Sequence, residues 1–248
     1  MNMTEKRSPE ELARALEESE RAYRELAVLS YSVAHDLRAP LRKIGGFSQI
    51  LVDEYSGELS EDGVQYLRRL QGAGQTMSSL LEGLMKLISL SRAEARRIDV
   101  DLSAAAEAVA SDLRRADPAR VVEFSIQPGV KGSGDPDLLA EVLENLIGNA
   151  WKFTSRHAQA RIEFGAEKRG GETVYFVRDD GAGFDPLHAG KLFAPFQRLH
   201  GESEFPGVGA GLAVARSVLR LHGGDITAEG EVEKGATFRF TLGPAPRS

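Results

Sequence analysis

The 248-residue sequence contains no cysteine and no long apolar run. The absence of cysteine excludes disulfide bonds and thiolate metal sites, and it is compatible with a reducing compartment. No stretch approaches the roughly 18 consecutive apolar residues of a membrane-spanning helix, and the first residues do not resemble a signal peptide. We therefore expect a cytoplasmic protein without a membrane span.

An excess of positive charge is also missing, because 37 acidic residues outnumber 31 basic ones and give a net charge of −6. Proteins that bind DNA or RNA usually present a basic field, so the composition argues against nucleic acid as the main partner. With 42% hydrophobic and 27% charged residues, the chain is an ordinary globular sequence with room for two small cores.

The N-terminal third of the sequence carries a helical pattern. Apolar residues recur three and four positions apart over 8–54, which predicts one long amphipathic helix. Its first part, up to Leu29, alternates acidic and basic residues and is typical of a coiled coil. A second helix is predicted over 60–88, and Pro40 should bend the first one. Because such a hairpin cannot bury all its apolar surface alone, we expect a homodimer in which two hairpins form a four-helix bundle.

The remainder of the chain mixes helix and strand patterns. Helices are predicted over 102–116, 135–151 and 211–221, and strands over 121–126, 161–167, 173–178, 225–228 and 236–242. This order predicts an α+β sandwich with helices on one face of a sheet. The predicted domains are an input helix (1–29), a helical hairpin (30–92), a linker (93–98), the sandwich domain (99–243) and a tail (244–248).

His35 and Asp36 are the first candidates for chemistry. A neutral imidazole is a nucleophile near pH 7, and a carboxylate that holds the proton of one ring nitrogen makes the other nitrogen more reactive. Consecutive helical residues do not face each other, so Asp36 would have to reach sideways. Taken alone, a His-Asp pair on a helix is more often an ordinary surface feature.

A second polar cluster lies on the helix predicted to begin at Asp135. Asn145, Asn149 and Lys152 recur at spacings of four and three and so share one helix face. Two amides and an ammonium group suit a triphosphate with a hydrated Mg²⁺ ion. A solvated polar face is the alternative interpretation of this spacing.

Two glycine loops follow this helix. In the loop 179–183, Asp179 comes directly after a strand, where its carboxylate can accept a hydrogen bond from an exocyclic amine such as that of adenine. In the loop 207–211, glycines lead into a helix whose N-terminus favours phosphate. Each loop alone is weak evidence, and their order and spacing carry the interpretation.

Taken together, these motifs resemble those of two-component sensor histidine kinases over roughly residues 27–242. The residues around His35 and the C-terminal segment 230–238 are most similar to those of kinases of the phytochrome-associated type. The matching segments are 30–41 (phosphoacceptor box), 141–154 (N box), 179–184 (first glycine box), 192–196 (F box), 207–213 (second glycine box) and 235–238 (final box).

The resemblance implies an ATP-binding sandwich of the Bergerat type in an ATP-dependent protein-histidine kinase. It implies that His35 is the phosphoacceptor, that Asp36 is the general base, and that the phosphoryl group passes to an aspartate of a response regulator receiver domain. Arg198, just after the F box, is a candidate contact for the γ-phosphate. The implied nucleotide ligands are Asn145, Asn149, Lys152, Asp179, Gly181, Gly183, Gly207, Gly209, Gly211 and Thr237, with Asn145 and Asn149 also holding Mg²⁺ and Thr237 supporting Asp179.

Other residues add detail to this resemblance. Ala39 stands where many members have a threonine or asparagine that positions water, which argues against phosphatase activity. The sequence shows no sensor domain, so the signal is expected from an upstream domain or protein absent from this chain. His222, at a predicted helix end before two glycines, is interpreted as a structural cap.

Two other functions remain compatible with parts of the sequence. One is a non-catalytic phosphotransfer or scaffold protein with a decayed ATP domain, against which the intact Asn145, Asp179 and Gly209 argue. The other is an ATP hydrolase of the gyrase or Hsp90 type, in which Glu141 would activate water. The long hairpin argues against the hydrolase.

Overall fold

The computed structural model describes residues 9–91, 93–199, 201 and 204–244, and before residue 25 it describes only the side chains of Arg14, Glu18 and Arg21. The chain divides into two compact units, the first ending at Ile88 and the second beginning at Ser89. The start of the predicted input helix, 1–8, and most of the predicted tail, 245–248, lie outside the described residues.

The first unit is a helical hairpin of α1 (Pro9–Tyr55) and α2 (Glu61–Leu90). The helix α1 continues through Pro40. The turn between the helices begins where the Glu58 amide donates to the Tyr55 carbonyl. The Ser60 hydroxyl then accepts from the Gly63 amide at 3.1 Å and caps α2.

The hairpin packs through a narrow face of α1. Its buried residues Ala27, Ala34, Leu41 and Ser48 recur every seven positions, which is the spacing of a coiled-coil seam. Large apolar side chains elsewhere on α1 are more than one third exposed: Leu26, Leu29, Val33, Leu37, Ile44, Phe47 and Leu51. The hairpin therefore leaves a wide apolar surface uncovered within one chain.

The second unit is a five-stranded sheet with helices on one face. The strand order is β2-β4-β5-β7-β6, in which β2 and β4 are parallel and the other neighbours are antiparallel. Its elements are β1 (Ile98–Asp101), α3 (Leu102–Ala116), β2 (Val122–Ile126), β3 (Lys131–Gly134), α4 (Pro136–Phe153), β4 (Ala160–Arg169), β5 (Glu172–Asp179), a 3-10 helix (Pro186–Lys191), α5 (Gly211–Leu221), β6 (Ile226–Glu231) and β7 (Gly235–Thr241).

The helix α4 forms the centre of the hydrophobic core of the second unit. It begins with Asp135, whose carboxylate accepts from the Asp137 and Leu138 amides, and with Pro136 in its first turn. Both α3 and α5 pack against it. Its apolar face is fully buried with side chains of the sheet and of α5: Leu139, Leu143, Leu146, Ile147, Phe164, Val177, Leu219 and Phe240.

The predicted hairpin followed by a sandwich domain is confirmed. The prediction missed the small antiparallel pair of β1 and β3, because the segment Lys131–Gly134 contains two glycines and has no strand pattern. Leu102 and His222 pack directly against Gly132 and Gly134, where no side chain would fit. The finer domain boundaries stay predictions. None of the helices in the described part of the chain has the length and apolar character needed to cross a membrane.

Candidate functional site

A cavity of about 250 Å³ lies in the second unit beside α4 and the start of α5. Most of the polar and glycine residues singled out from the sequence line it. From α4 and the first glycine loop these are Asn145, Asn149, Lys152, Asp179 and Gly183, and from the later chain Arg198, Gly207, Gly209 and Gly211. The structure thus brings together segments more than 60 positions apart in the sequence.

Asn145 and Gly211 fix the contact between α4 and α5 at the cavity. The Asn145 amide nitrogen donates to the Glu141 carbonyl at 2.8 Å. A Cβ at position 211 would overlap the Asn145 Oδ1 atom, so a larger residue there would displace the Asn145 side chain. At the start of α5, Ala210 provides no side-chain cap. The first amide groups of α5 are therefore suited to an anionic ligand.

Lys152 places an ammonium group beside the second glycine loop. Its Nζ lies 4.3 Å from the centroid of the Phe153 ring and 3.4 Å from the position that a Cβ of Gly207 would occupy. Burial and, to a smaller extent, the positive charge of Arg198 together lower the pKa of Lys152 to about 8. An anion bound here would offset both effects and favour the charged amine.

Asp179 ends β5 and is buried at the cavity wall. Its Oδ1 atom accepts from the Gly181 amide at 2.9 Å. Burial raises the pKa of Asp179 to about 6, while hydrogen bonds from the Gly181 and Ala236 amides act in the opposite direction. Such a desolvated carboxylate gains most from a ligand that donates a further hydrogen bond.

The structure corrects the expectation that Thr237 supports Asp179. The register of β5 and β7 pairs Asp179 with Ala236 and pairs Arg178 with Thr237. Directly paired residues lie on the same face and successive residues alternate, so Thr237 faces away from Asp179. Its hydroxyl accepts from Arg178 Nε at 3.4 Å instead. The backbone amide of Ala236, one position earlier, supports the carboxylate.

Gly181 and Gly209 act through backbone geometry. Gly181 does not line the cavity, but a Cβ there would lie 2.5 Å from the Phe153 carbonyl oxygen. Gly209 has a φ of 74° and would place a Cβ 2.5 Å from the Gln197 carbonyl oxygen. The Gly209 carbonyl accepts from the Phe196 amide at 3.0 Å. This bond ties the second glycine loop to the F box.

The apolar walls of the cavity were not predicted from the sequence. The F box, 192–196, was recognised as a motif and contributes Leu192 to the cavity wall. Its sequence did not indicate that any of its residues would line the cavity. Apolar walls with a few polar groups are usual in sites for small organic ligands. The apolar lining residues are Phe153, Phe184, Leu192, Leu199, Phe205, Pro206, Val208, Ala210, Leu212, Ala236 and Phe238.

His35 and Asp36 lie on α1, in the first unit. The Nδ1 atom of His35 is 3.2 Å from the Asp36 Oδ1 atom, so the carboxylate does reach sideways along the helix. Both side chains are well exposed, at 66% and 77%. When Nδ1 carries the proton and donates to Asp36, the lone pair of Nε2 is available to a reactant from solvent.

Among the described residues, no group of three histidine, cysteine or acidic side chains is arranged to hold a metal ion.

Two family models match the chain. The His Kinase A (phospho-acceptor) domain matches residues 25–96. The histidine kinase-, DNA gyrase B- and HSP90-like ATPase model matches residues 134–246. The first match contains His35, and the second contains all the candidate nucleotide ligands.

Curated relatives match nearly the whole chain. Cyanobacterial phytochrome A of Nostoc sp. (strain PCC 7120) is 31% identical over 241 residues, which are 95% of this chain and 31% of that protein. The methanogenesis regulatory histidine kinase FilI of Methanothrix harundinacea is 32% identical and covers 97% of this chain and 27% of its own length. The chain thus spans about a third of the length of the curated relatives it matches.

Solved structures share the fold. Full-length ShkA in complex with AMPPNP superimposes with a TM-score of 0.61 and 24% identity over 88% of this chain and 47% of that chain. The histidine kinase AdeS of Acinetobacter baumannii gives a TM-score of 0.55 and 22% identity over 85% of this chain and 98% of that one. With the phosphoacceptor and ATPase models matching in this order, the chain belongs to the histidine kinase family and carries the catalytic core of a two-component sensor histidine kinase.

Proposed function

We propose that the chain is an ATP-dependent protein-histidine kinase that transfers the γ-phosphoryl group of ATP to His35 and then to an aspartate of a response regulator. The observation that carries the proposal is the presence, in one chain, of an exposed His35–Asp36 pair and a cavity in which Asp179, Asn145, Asn149 and Lys152 converge.

The cavity residues support one orientation of the nucleotide. The Asp179 carboxylate accepts a hydrogen bond from the exocyclic amine of adenine, between the apolar walls. Asn149, Lys152 and the start of α5 at Gly211 lie with Asn145 in the same cavity and suit the phosphates. A triphosphate in this orientation places its charge beside the Lys152 ammonium group and the N-terminus of α5, both of which favour an anion.

A hydrated Mg²⁺ ion fits this donor set. Asn145 and Asn149 offer amide oxygens, which are acceptable ligands for an ion that keeps several waters and binds mainly to phosphate. The ion supplies charge neutralisation on the phosphate oxygens of ATP during transfer. Asn145 and Asn149 would hold the ion, and Lys152 adds a positive charge beside the phosphates.

Phosphoryl transfer then needs a nucleophile and a proton acceptor. The Nε2 lone pair of His35 attacks the γ-phosphorus of ATP, the bond to the bridging oxygen breaks, and ADP leaves. The ring becomes positively charged as the N–P bond forms, and Asp36 then takes the Nδ1 proton, which leaves a neutral phosphohistidine and a protonated carboxyl group. In the second transfer an aspartate carboxylate of the response regulator attacks the phosphorus, and the imidazole of His35 leaves.

The exposed apolar face of α1 supports a homodimer. Val33, Leu37, Ile44 and Phe47 are large apolar residues that one chain leaves uncovered, and two hairpins packed together would bury them in a four-helix bundle. Because ATP is the proposed substrate, we place the reaction in the cytoplasm, downstream of a sensor domain or protein outside this sequence.

The test is to incubate the purified chain with Mg²⁺ and ATP labelled in the γ-position, and to locate the modification by mass spectrometry under neutral conditions. We expect acid-labile label on the wild-type chain and on His188→Gln, a matched control whose histidine is exposed and outside the cavity. We expect none on His35→Gln. Undiminished labelling of His35→Gln, or no labelling of the wild type, would contradict the proposal.

Release of inorganic phosphate, measured on the same variants, distinguishes the kinase from the ATP hydrolase alternative. That mechanism needs Glu141 to activate water, and Glu141 is not among the residues that line the cavity. Steady release of inorganic phosphate that persists in His35→Gln and disappears in Glu141→Gln would favour the hydrolase over the kinase.

A further inference from the structure

Phe205 differs sharply from the residues on either side of it. It is 2% exposed, whereas Glu204 and Pro206 are exposed. It lies two positions before the second glycine loop, 207–211, and it lines the cavity. A single buried aromatic ring in a polar segment holds the backbone on both sides of it in place.

The Phe205 ring lies between a second aromatic ring and a guanidinium group. It packs edge-to-face on Phe153, with ring centroids 5.0 Å apart and an interplanar angle of 68°. The guanidinium carbon of Arg156 lies 4.8 Å from the Phe205 centroid, and Arg156 also pairs with the Glu204 carboxylate at 3.8 Å. These contacts join the end of α4 to the residues just before the glycine loop.

The Phe205 backbone is held as well. Arg198 Nη2 donates to the Phe205 carbonyl at 2.7 Å and to the Gly201 carbonyl at 3.2 Å. Arg198 was a candidate contact for the γ-phosphate, and it does line the cavity. One of its terminal nitrogens is nevertheless committed to the backbone before the glycine loop.

The same cluster reaches the candidate phosphate ligand Lys152. Phe153, the partner of the Phe205 ring, lies under the Lys152 ammonium group at 4.3 Å. Lys152 in turn lies beside Gly207, the first residue of the loop. Phe205 is therefore linked through Phe153 to Lys152, and through Lys152 to the first residue of the glycine loop.

From these contacts we propose that Phe205 is a positioning residue, held by Phe153, Arg156 and Arg198, that keeps the glycine loop 207–211 ordered in the shape that receives the nucleotide phosphates. The inference rests on the proposed function, because it assumes that the cavity binds ATP. Glycine-rich backbone is entropically costly to order, so a loop that is already fixed binds more tightly than a loose one.

The test compares Phe205→Ala and Phe205→Leu with Leu187→Ala, a control whose apolar side chain is 88% exposed and outside the cavity. Affinity is measured with a fluorescent ATP analogue and Mg²⁺ on the full chain, and His35 labelling is measured over a range of ATP concentrations. We expect Phe205→Ala to raise the Kd and the KM for ATP about 10-fold, with kcat within about 2-fold of wild type. The Kd and KM of Phe205→Leu should lie between those of the wild type and those of Phe205→Ala, and Leu187→Ala should match the wild type.

Hydrogen exchange of the nucleotide-free chain distinguishes positioning from a general role in the core. In Phe205→Ala the amides of 207–211 should exchange faster, while those of β5 and β7 keep their wild-type protection. Faster exchange throughout the sheet, or a Kd within 2-fold of wild type, would overturn the proposal.

Arg156 gives a second, independent variant. Arg156→Ala should raise the Kd about 3-fold, and Arg115→Ala, which removes an exposed arginine of α3, should leave it unchanged. Because Arg156 acts through the Phe205 ring, the double variant with Phe205→Ala should bind no more weakly than Phe205→Ala alone. Additive effects of the two substitutions would count against the proposal.

The outcomes separate this inference from the proposed function. A wild-type chain that binds the nucleotide but does not label His35 refutes the kinase and leaves the role of Phe205 standing. Binding that is insensitive to Phe205→Ala in a labelling-competent chain refutes only the role of Phe205. A wild-type chain that binds no nucleotide refutes both.

Discussion

The Asp36 carboxylate lies 3.2 Å from Nδ1 of His35, the residue directly before it in α1. Adjacent residues of a helix point about 100° apart, so this contact uses the flexibility of both side chains at an exposed position. A hydrogen bond from Nδ1 to the carboxylate favours the ring tautomer that has its lone pair on Nε2, the nitrogen that would react.

Replacing Asp36 should therefore slow the chemical step without changing nucleotide binding. We expect Asp36→Asn to lower the rate of His35 labelling about 100-fold, since it removes the proton acceptor for Nδ1. The Kd for ATP should stay at the wild-type value. Rapid-quench labelling and a nucleotide titration measure the two quantities.

The matched control is Asp53→Asn, which changes another exposed carboxylate of α1, one that accepts from Gln49. Its labelling rate should equal that of the wild type. A drop of similar size in both variants would show that the effect comes from the charge of the helix and not from the contact with His35.

Nucleotide binding should weaken in acid because of Asp179. The pKa of Asp179 is raised to about 6, chiefly by burial, so the carboxyl group becomes neutral as the pH falls through 6 and no longer offers a full carboxylate to the adenine amine. We expect the Kd for ATP to rise below pH 6 in the wild type. Asp179→Asn should bind about 10- to 100-fold more weakly at pH 7 and should lack this acid limb. Fluorescence titration from pH 5 to 7 measures both.

Lys152 should weaken nucleotide binding at alkaline pH. Its pKa is lowered to about 8 by burial and by Arg198, so the amine of the empty cavity loses its charge as the pH rises through 8. Because phosphate favours the protonated amine, the Kd should rise between pH 7 and 9. Lys152→Met should bind more weakly at pH 7 and show a flat profile over this window. Lys168→Met, which changes a lysine of β4 that donates to Thr173, should retain the wild-type profile.

A pair of glycine substitutions tests the packing around His222. The fully buried His222 ring accepts from the Asp135 amide at 2.9 Å and lies against Gly134. A Cβ at Gly134 would lie 2.6 Å from Leu139 Cδ1 and 2.8 Å from His222 Cδ2, so Gly134→Ala should lower the free energy of unfolding by about 1–3 kcal/mol.

Gly148→Ala is the contrasting variant. Gly148 lies inside α4 with nothing within 4 Å of its added Cβ, so alanine there should raise the free energy of unfolding by about 0.5–1 kcal/mol. Urea unfolding of the two variants beside the wild type checks both signs. Equal effects of the two substitutions would show that the contact with His222 is not the cause.

The long helices and the order of the sheet domain were predictable because each has a strong period. The capped start of α4 at Asp135 and the glycine start of α5 at Gly211 were both predicted from local residues and are confirmed. The strands β1 and β3 were missed because they are stabilised by each other and by packing against Gly132 and Gly134, which no local pattern records.

The candidate site was predictable in its polar members and not in its geometry. Asn145, Asn149, Lys152 and Asp179 stand at recognisable spacings, and the cavity contains all four. Thr237 was misplaced because matching a motif does not fix strand parity, and one position decides which face a side chain occupies. Phe205 carried no signal, since a lone aromatic residue in a polar loop has no period.

The contact of Gly211 with Asn145 has a consequence for how such sequences diverge. Because a Cβ at residue 211 would overlap the amide oxygen of residue 145, the identity of residue 211 and the position of the Asn145 side chain are coupled. A lineage that acquires alanine at 211 must move or shorten the side chain at 145, and either change displaces a candidate magnesium ligand. We therefore expect changes at positions 145 and 211 to occur together in descendants of this chain that have lost nucleotide binding.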